Sequence, residues 1–372
     1  MKKLFLSTGL TVALATAPAM ARDLIYSTIV TPTHPVVSEV MEPLAEHMRQ
    51  ATNGEIDIKV NAGGALAGGK ETLGALESGL IDLGQVIDLY SPGELPNSVN
   101  VSSINSGNND PRVLTGAANE TQLITCESCK GDYHEKGLQQ LLYYAVTPLR
   151  LVCKDKVVTS LNDWKGLRVR ATGGMGQLTA AFGGVPANLP ITDTYEAMQR
   201  GTIDCTIASL PWLDSYGFKD VTSDVTSLAL GTLHQGLPLV ARMEVVKSLS
   251  PQARQALIEE LPNRAVAAVK RYLADDAAID SIIKDANITV HDADDSMVKA
   301  LAEYIDGEID RTSDVSAGRG AKQPREDLQG FMANVDKWQK IVDDIGGGEW
   351  NDAQWSEYAD RLKTEIYDKL AL

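Results

Sequence analysis

The chain has 372 residues, and its 50 Asp and Glu outnumber 34 Lys and Arg for a formal net charge of −16. That balance disfavours nucleic acid and anionic membrane surfaces as partners. The length suits about two domains at roughly 150 residues each, and 44% hydrophobic residues provide for a sizeable core.

Lys2 and Lys3 precede an apolar run from Leu4 to Ala15, and Ala19-Met20-Ala21 follows. This is the pattern of a secretory signal peptide over residues 1–21. Its apolar run is too short to span a bilayer, which needs roughly 20 residues. The mature chain is expected to start at Arg22 and to be soluble in the periplasm.

The mature part alternates short apolar runs with amphipathic stretches, the pattern of a mostly parallel α/β sheet. Leu24 to Val30 reads as a strand, followed by a loop carrying His34. Val36 to Thr52 reads as a helix with Val37, Val40, Met41, Leu44 and Met48 on one face. Asn53-Gly54 ends it, and Ile56 to Val60 is a second strand. Two distant segments resemble one another: Ala75 to Asp82 (ALESGLID) and Ala197 to Asp204 (AMQRGTID). Each reads as a helix end, a glycine cap and a strand start, which suggests two lobes of related topology. Asp193 and Glu196 have capping-box spacing before the second copy.

The four cysteines, Cys126, Cys129, Cys153 and Cys205, lie in a chain expected to be exported, where disulfides persist. Three pairings are open. Cys126 with Cys129 and Cys153 with Cys205 is favoured, because the last two lie in short strand-like apolar runs. No second close ligand pair accompanies them, which argues against zinc.

Residues 165–176, KGLRVRATGGMG, place two arginines on a short strand before a glycine turn. The glycines fit neither the dinucleotide nor the Walker pattern, so no nucleotide cofactor is expected. Residues two apart on a strand share a face. Arg170, at the strand's carboxyl end, stands where ligands bind in open α/β sheets, and its planar fork suits a carboxylate. Arg168 reads as solvated or structural. The five histidines show no metal-ligand spacing, and no G-x-S-x-G elbow occurs. Towards the carboxyl end, Pro251 to Ala274 reads as a helix interrupted at Pro262, Ser313 to Gln323 as an exposed loop, and Asp352 to Leu370 as a further helix.

Three segments, NDWKGLRVRATGG, GGVPANLPITDTYEAMQRGTIDC and IKVNAGGALAGGKETLGALESGLIDLGQV, resemble the extracytoplasmic substrate-binding subunits of TRAP transporters, the DctP-like proteins. The resemblance runs from about Leu24 to at least Leu257. It implies an α/β fold of the two-lobed, type II-like periplasmic binding class, with hinge strands and long C-terminal helices. Lobe 1 would comprise residues 22–147 plus about 237–275, lobe 2 residues 148–236, and about 276–372 would pack across both. It implies binding of a small organic acid and delivery to the membrane subunits of a TRAP permease, without catalysis, and a monomer is expected. In that family an arginine matching Arg170 pairs with the ligand carboxylate, and Arg150 matches a second basic residue. Many relatives carry Glu-Asn-Pro where this chain has Ile207-Ala208-Ser209 followed by Leu-Pro-Trp, so Ser209 or Trp212 would replace an asparagine contact. Gln85, His34, Met175 and His234 are further candidates by loop position. The competing readings are a secreted hydrolase, a thiol oxidoreductase using Cys126 and Cys129, and a receptor that serves a signalling partner.

Overall fold

The computed structural model describes residues 22–105, 107–234 and 236–372; the expected signal peptide lies outside them. Among the described residues eleven strands are formed: β1 (Arg22–Ser27), β2 (Ile56–Asn61), β3 (Leu83–Gly84), β4 (Leu138–Tyr144), β5 (Leu149–Cys153), β6 (Arg168–Arg170), β7 (Val185–Ala187), β8 (Cys205–Ser209), β9 (Asp224–Gly231), β10 (Gly236–Arg242) and β11 (Thr289–His291). They make two sheets, ordered β2-β1-β3-β10-β4 and β11-β9-β5-β8-β6-β7. The chain passes from the first sheet to the second between Tyr144 and Leu149, and returns between Gly231 and Gly236.

The two sheets share one plan. β1 is parallel to β2 and β3, and β10 runs antiparallel to β3 and β4. Likewise β6 is parallel to β7 and β8, and β5 runs antiparallel to β8 and β9. The paired segments behave alike down to single bonds. Gly79 and Gly201 take φ of 75° and 68°, the left-handed values glycine adopts without a Cβ clash. Leu80 N donates to Ala75 O, and Thr202 N to Ala197 O. Asp82 and Asp204 then accept from Ile25 N and Arg168 N, each at 2.9 Å. The likeness between the two segments is therefore structural.

The helix expected from Val36 begins as a π-turn over Val36–Met41 and continues as an α-helix over Glu42–Ala51. All five residues of its expected apolar face are buried. The first strand closes at Ser27, earlier than Val30, although Ile29 and Val30 remain in the core. Asp193 stands at the N-cap position of Thr194–Gln199, but it follows a 3₁₀ turn over Ile191–Asp193 in a helical backbone conformation, and its carboxylate makes no capping bond.

The interruption expected at Pro262 does not occur, and Pro251–Ala277 is one helix of 27 residues. A proline inside a helix costs about 3 kcal/mol. Burial of Ala256, Leu257, Leu261, Ala265, Ala268 and Val269 on either side of it offsets that cost. The exposed loop expected over 313–323 is corrected in its first half, while residues 319–323 do form a mostly exposed loop. Glu308–Gly318 is helical, with Thr312, Ser313 and Ser316 buried. Their small side chains let this helix pack closely on the Pro96–Ser102 and Pro324–Ile345 helices. The last expected helix ends at Glu365, with a 3₁₀ turn over Tyr367–Lys369.

The chain beyond the long helix touches both sheets. β11 extends the second sheet beside β9, and Pro324–Ile345 packs on Pro111–Glu120 beside the first. At that contact Gly116 leaves room for Trp338, whose ring would lie 2.1 Å from an added Cβ. No helix among the described residues is long and apolar enough to cross a membrane.

Candidate functional site

Between the two sheets lies a cavity of about 60 Å³. At roughly 10–15 Å³ per water on this measure, it has room for about four to six waters. His34, Gln85, Tyr90, Tyr144 and Tyr272 line it from the first sheet's side, and Arg170, Met175, Ile207, Trp212 and Tyr216 from the second's.

Arg170 ends β6 and is only 5% exposed. Its Nε donates to Leu189 O at 3.0 Å, and its Nη2 donates to the Tyr90 hydroxyl across the cleft at 3.2 Å. It makes no ion pair with an acidic group among the described residues. Arg168, two residues earlier, forks onto Asp204 at 2.7 and 3.0 Å on the exposed side. The two arginines thus differ: one is neutralised at the surface, while the other is a buried cation at a cavity wall. An unpaired buried charge costs several kcal/mol.

Tyr90 follows the short β3 on a 3₁₀ turn, Asp88–Tyr90. Its oxygen accepts from Arg170 and from Ile191 N at 2.8 Å. Both lone pairs are used, which leaves its O–H as a donor. Tyr272, from the middle of the long helix, is similar. Its oxygen accepts from Trp212 Nε1 at 3.1 Å and lies 3.2 Å from His34 Nε2. His34 Nδ1 accepts from Val36 N, so a neutral ring carries its proton on Nε2 and donates to Tyr272. Gln85 Oε1 accepts from Thr28 Oγ1, leaving its amide nitrogen to donate. Two tyrosine hydroxyls therefore tie the halves together across the cavity.

The halves also touch at the edge of the cavity. The helix Gly173–Ala181 brings its first turn against Ser103 to Asn105, where a Cβ on Gly174 would fall 1.9 Å from Ser103 O. Glycine is required for that approach.

Three of the residues singled out in the sequence lie away from this lining. Arg150 alternates with Leu149 along β5, so when Leu149 faces the cavity Arg150 faces away from it. Arg150 Nη1 donates to Pro148 O, and Asp276 is its electrostatic partner. The Ser209 hydroxyl is fully buried and bonded to Thr147 Oγ1 at 2.8 Å. His234 stacks on Phe331 at 4.6 Å with Nε2 2.7 Å from Ile104 O, while its neighbour Leu233 lines the cavity. Conversely, Tyr90, Tyr144, Tyr216 and Tyr272 escaped sequence reasoning. Only Tyr216 carried a local signal, its i,i+4 spacing from Trp212.

The four cysteines form two disulfides, Cys126–Cys129 and Cys153–Cys205. Cys126, Cys129 and Asp327 are close enough together to suggest a metal site, but both sulfurs are committed to the disulfide. Cys126 and Cys129 are both buried, unlike an exchanging redox pair.

A sequence model of the DctP family, described as bacterial extracellular solute-binding protein, family 7, matches residues 26–312. The chain belongs to this family. Among curated relatives, the outer membrane transporter protein TsaT of Comamonas testosteroni is 24% identical over 290 residues, covering 76% of this chain and 83% of that protein. The fold is that of solved TRAP solute-binding proteins. One from Bordetella bronchiseptica, with bound (R)- and (S)-mandelate, has a TM-score of 0.72 at 23% identity, covering 85% of this chain and 99% of its own. One from Rhodoferax ferrireducens T118, with copurified benzoate, has a TM-score of 0.76 at 18% identity, covering 87% and 100%. Within the DctP fold of this chain, the cavity lies between its two sheets.

Burial holds two histidines neutral. The His34 pKa is lowered to about 3, by burial first and then by Arg271, and that of His234 to about 4 by burial. The unfolded chain takes up these protons below the ordinary value near 6.5, whereas the folded one does not. Stability is therefore present above pH 6.5 and is lost as pH falls towards 4, at up to about 1.4 kcal/mol per unit per histidine. Burial raises the Asp88 pKa to about 6, giving the opposite slope between 3.8 and 6. Urea midpoints measured at pH 7 and pH 5 are expected to fall with pH, and to fall less in His234→Gln.

Proposed function

We propose that this protein is a periplasmic receptor which closes on a small organic acid and delivers it to a TRAP-type permease, without chemistry of its own. The observation that carries this reading is Arg170, a buried guanidinium at the cavity wall with no acidic partner among the described residues. A carboxylate would accept from Arg170 and from the Tyr90 hydroxyl, supplying the missing counter-charge. Met175, Gln85, His34 and Trp212 would shape the remainder of the site. The lobes would be residues 22–147 with about 237–275, and 148–236, hinged at the two crossings, with the C-terminal helices bracing both. Relatives that bind organic acids in the same fold support this reading.

Calorimetry tests it. One acid from a panel of small monocarboxylates, dicarboxylates and sugar acids is expected to bind one to one, and its primary amide to bind at least about 30-fold more weakly, the lower end of a desolvated charge pair. Equal binding of acid and amide would remove the carboxylate from the reading.

A further inference from the structure

We infer that the acid is a single-ring aromatic monocarboxylate; this deepens the carboxylate reading above and rests on it. Two observations narrow the class, and a third is consistent with it.

The first is charge. Among the described residues, Arg170 is the one Lys or Arg in the lining. The remaining basic group, His34, spends one nitrogen accepting from Val36 N and the other on Tyr272, inside a fully buried network. A dicarboxylate would therefore carry a second anion into the cavity without a cation to receive it. Desolvating an unpaired carboxylate is too costly for tight binding.

The second is the walls. The chain has only 20 Phe, Trp and Tyr residues, yet Tyr144, Tyr216, Tyr272 and Trp212 converge here. Tyr144 and Tyr272 stack with centroids 5.6 Å apart, and Trp212 meets Tyr216 edge to face at 5.8 Å. Gly236 keeps this wall in place: a Cβ there would lie 2.4 Å from the Tyr144 ring. Ile87, Val146 and Leu149 continue the surface without polar atoms. Aromatic faces at these angles favour another ring over an aliphatic body of equal size.

The third is the supply of hydrogen bonds. Trp212 Nε1 is spent on Tyr272, and Gln85 Oε1 on Thr28. Beside them the cavity is lined by the Gln85 amide nitrogen and the hydroxyls of Thr172, Tyr90, Tyr144, Tyr216 and Tyr272. These can serve a carboxylate and polar substituents on a ring. The volume, room for about four to six waters, suits one ring.

Titration of the ligand-free protein with benzoate, phenylacetate, cyclohexanecarboxylate, succinate and glucuronate tests the inference. Benzoate or phenylacetate is expected to saturate, about 3- to 10-fold tighter than cyclohexanecarboxylate, with succinate and glucuronate at least 100-fold weaker. Trp212→Leu is expected to abolish the preference for the aromatic over the cyclohexane acid while leaving acid preferred to amide. Cyclohexanecarboxylate, succinate or glucuronate binding as tightly as the aromatic acids would overturn the aromatic assignment and leave the carboxylate reading intact. Benzamide matching benzoate would instead break the carboxylate reading. Binding of none of the five acids would overturn the inference.

Discussion

Arg170→Ala is expected to weaken binding of the acid by about 30- to 4,000-fold, corresponding to roughly 2–5 kcal/mol for losing one partner of a desolvated charge pair. The ligand-free protein should hardly notice. Its Arg170 makes two hydrogen bonds to neutral oxygens and no ion pair among the described residues, and a buried cation without a counter-charge is a burden on the empty state. The melting temperature without ligand should therefore stay within a few degrees of the parent, while the shift produced by ligand disappears. Arg170→Lys retains the charge and loses the fork, so it should recover only part of the affinity. An unchanged Kd in Arg170→Ala would show that the acid is anchored elsewhere.

Removing the Cys153–Cys205 disulfide by the double change Cys153→Ala and Cys205→Ala is expected to cost about 4 kcal/mol. The two residues face each other on β5 and β8 with Cα atoms 4.0 Å apart, and are separated by 52 positions. In the chain-entropy account, stabilisation grows with the logarithm of the loop, which gives about 4 kcal/mol here and about 1.5 kcal/mol for the three-residue separation of Cys126 and Cys129. The closed loop contains β6 with Arg170, so the bond also tethers the proposed anchor. Urea unfolding of the two double variants checks the ranking, and equal losses would contradict it.

What could be read from the sequence follows from what each signal is made of. Period-two alternation and a following glycine turn put Arg170 at a strand's carboxyl end, because both are properties of adjacent residues. The glycine caps at 79 and 201 were equally local. Tyr90, Tyr144 and Tyr272 sit on a 3₁₀ turn, a strand and the middle of a long helix, and nothing near any of them in sequence marks a cavity. Only the packing of distant elements brings them together. Pro262 and the Ser313 region failed for the same reason in reverse: local propensity was correct, and burial of alanines or small hydroxyl residues outweighed it. Arg150 shows the limit of matching by position, since one step along β5 separates the cavity face from the face turned to Asp276.

The shared plan of the two sheets has a consequence for how a ligand enters. Aspartates 82 and 204 fix Ile25 and Arg168 as equivalent positions, and the next residue but one is Ser27 in the first half and Arg170 in the second. Ser27 is fully buried and pairs with Gly84, as Arg170 pairs with Thr206. The duplicated frame thus differs at this position, neutral in the first sheet and cationic in the second. On the proposed function, an acid held between these otherwise corresponding halves would have its head assigned to the second of them, because only there does the shared frame carry a cation.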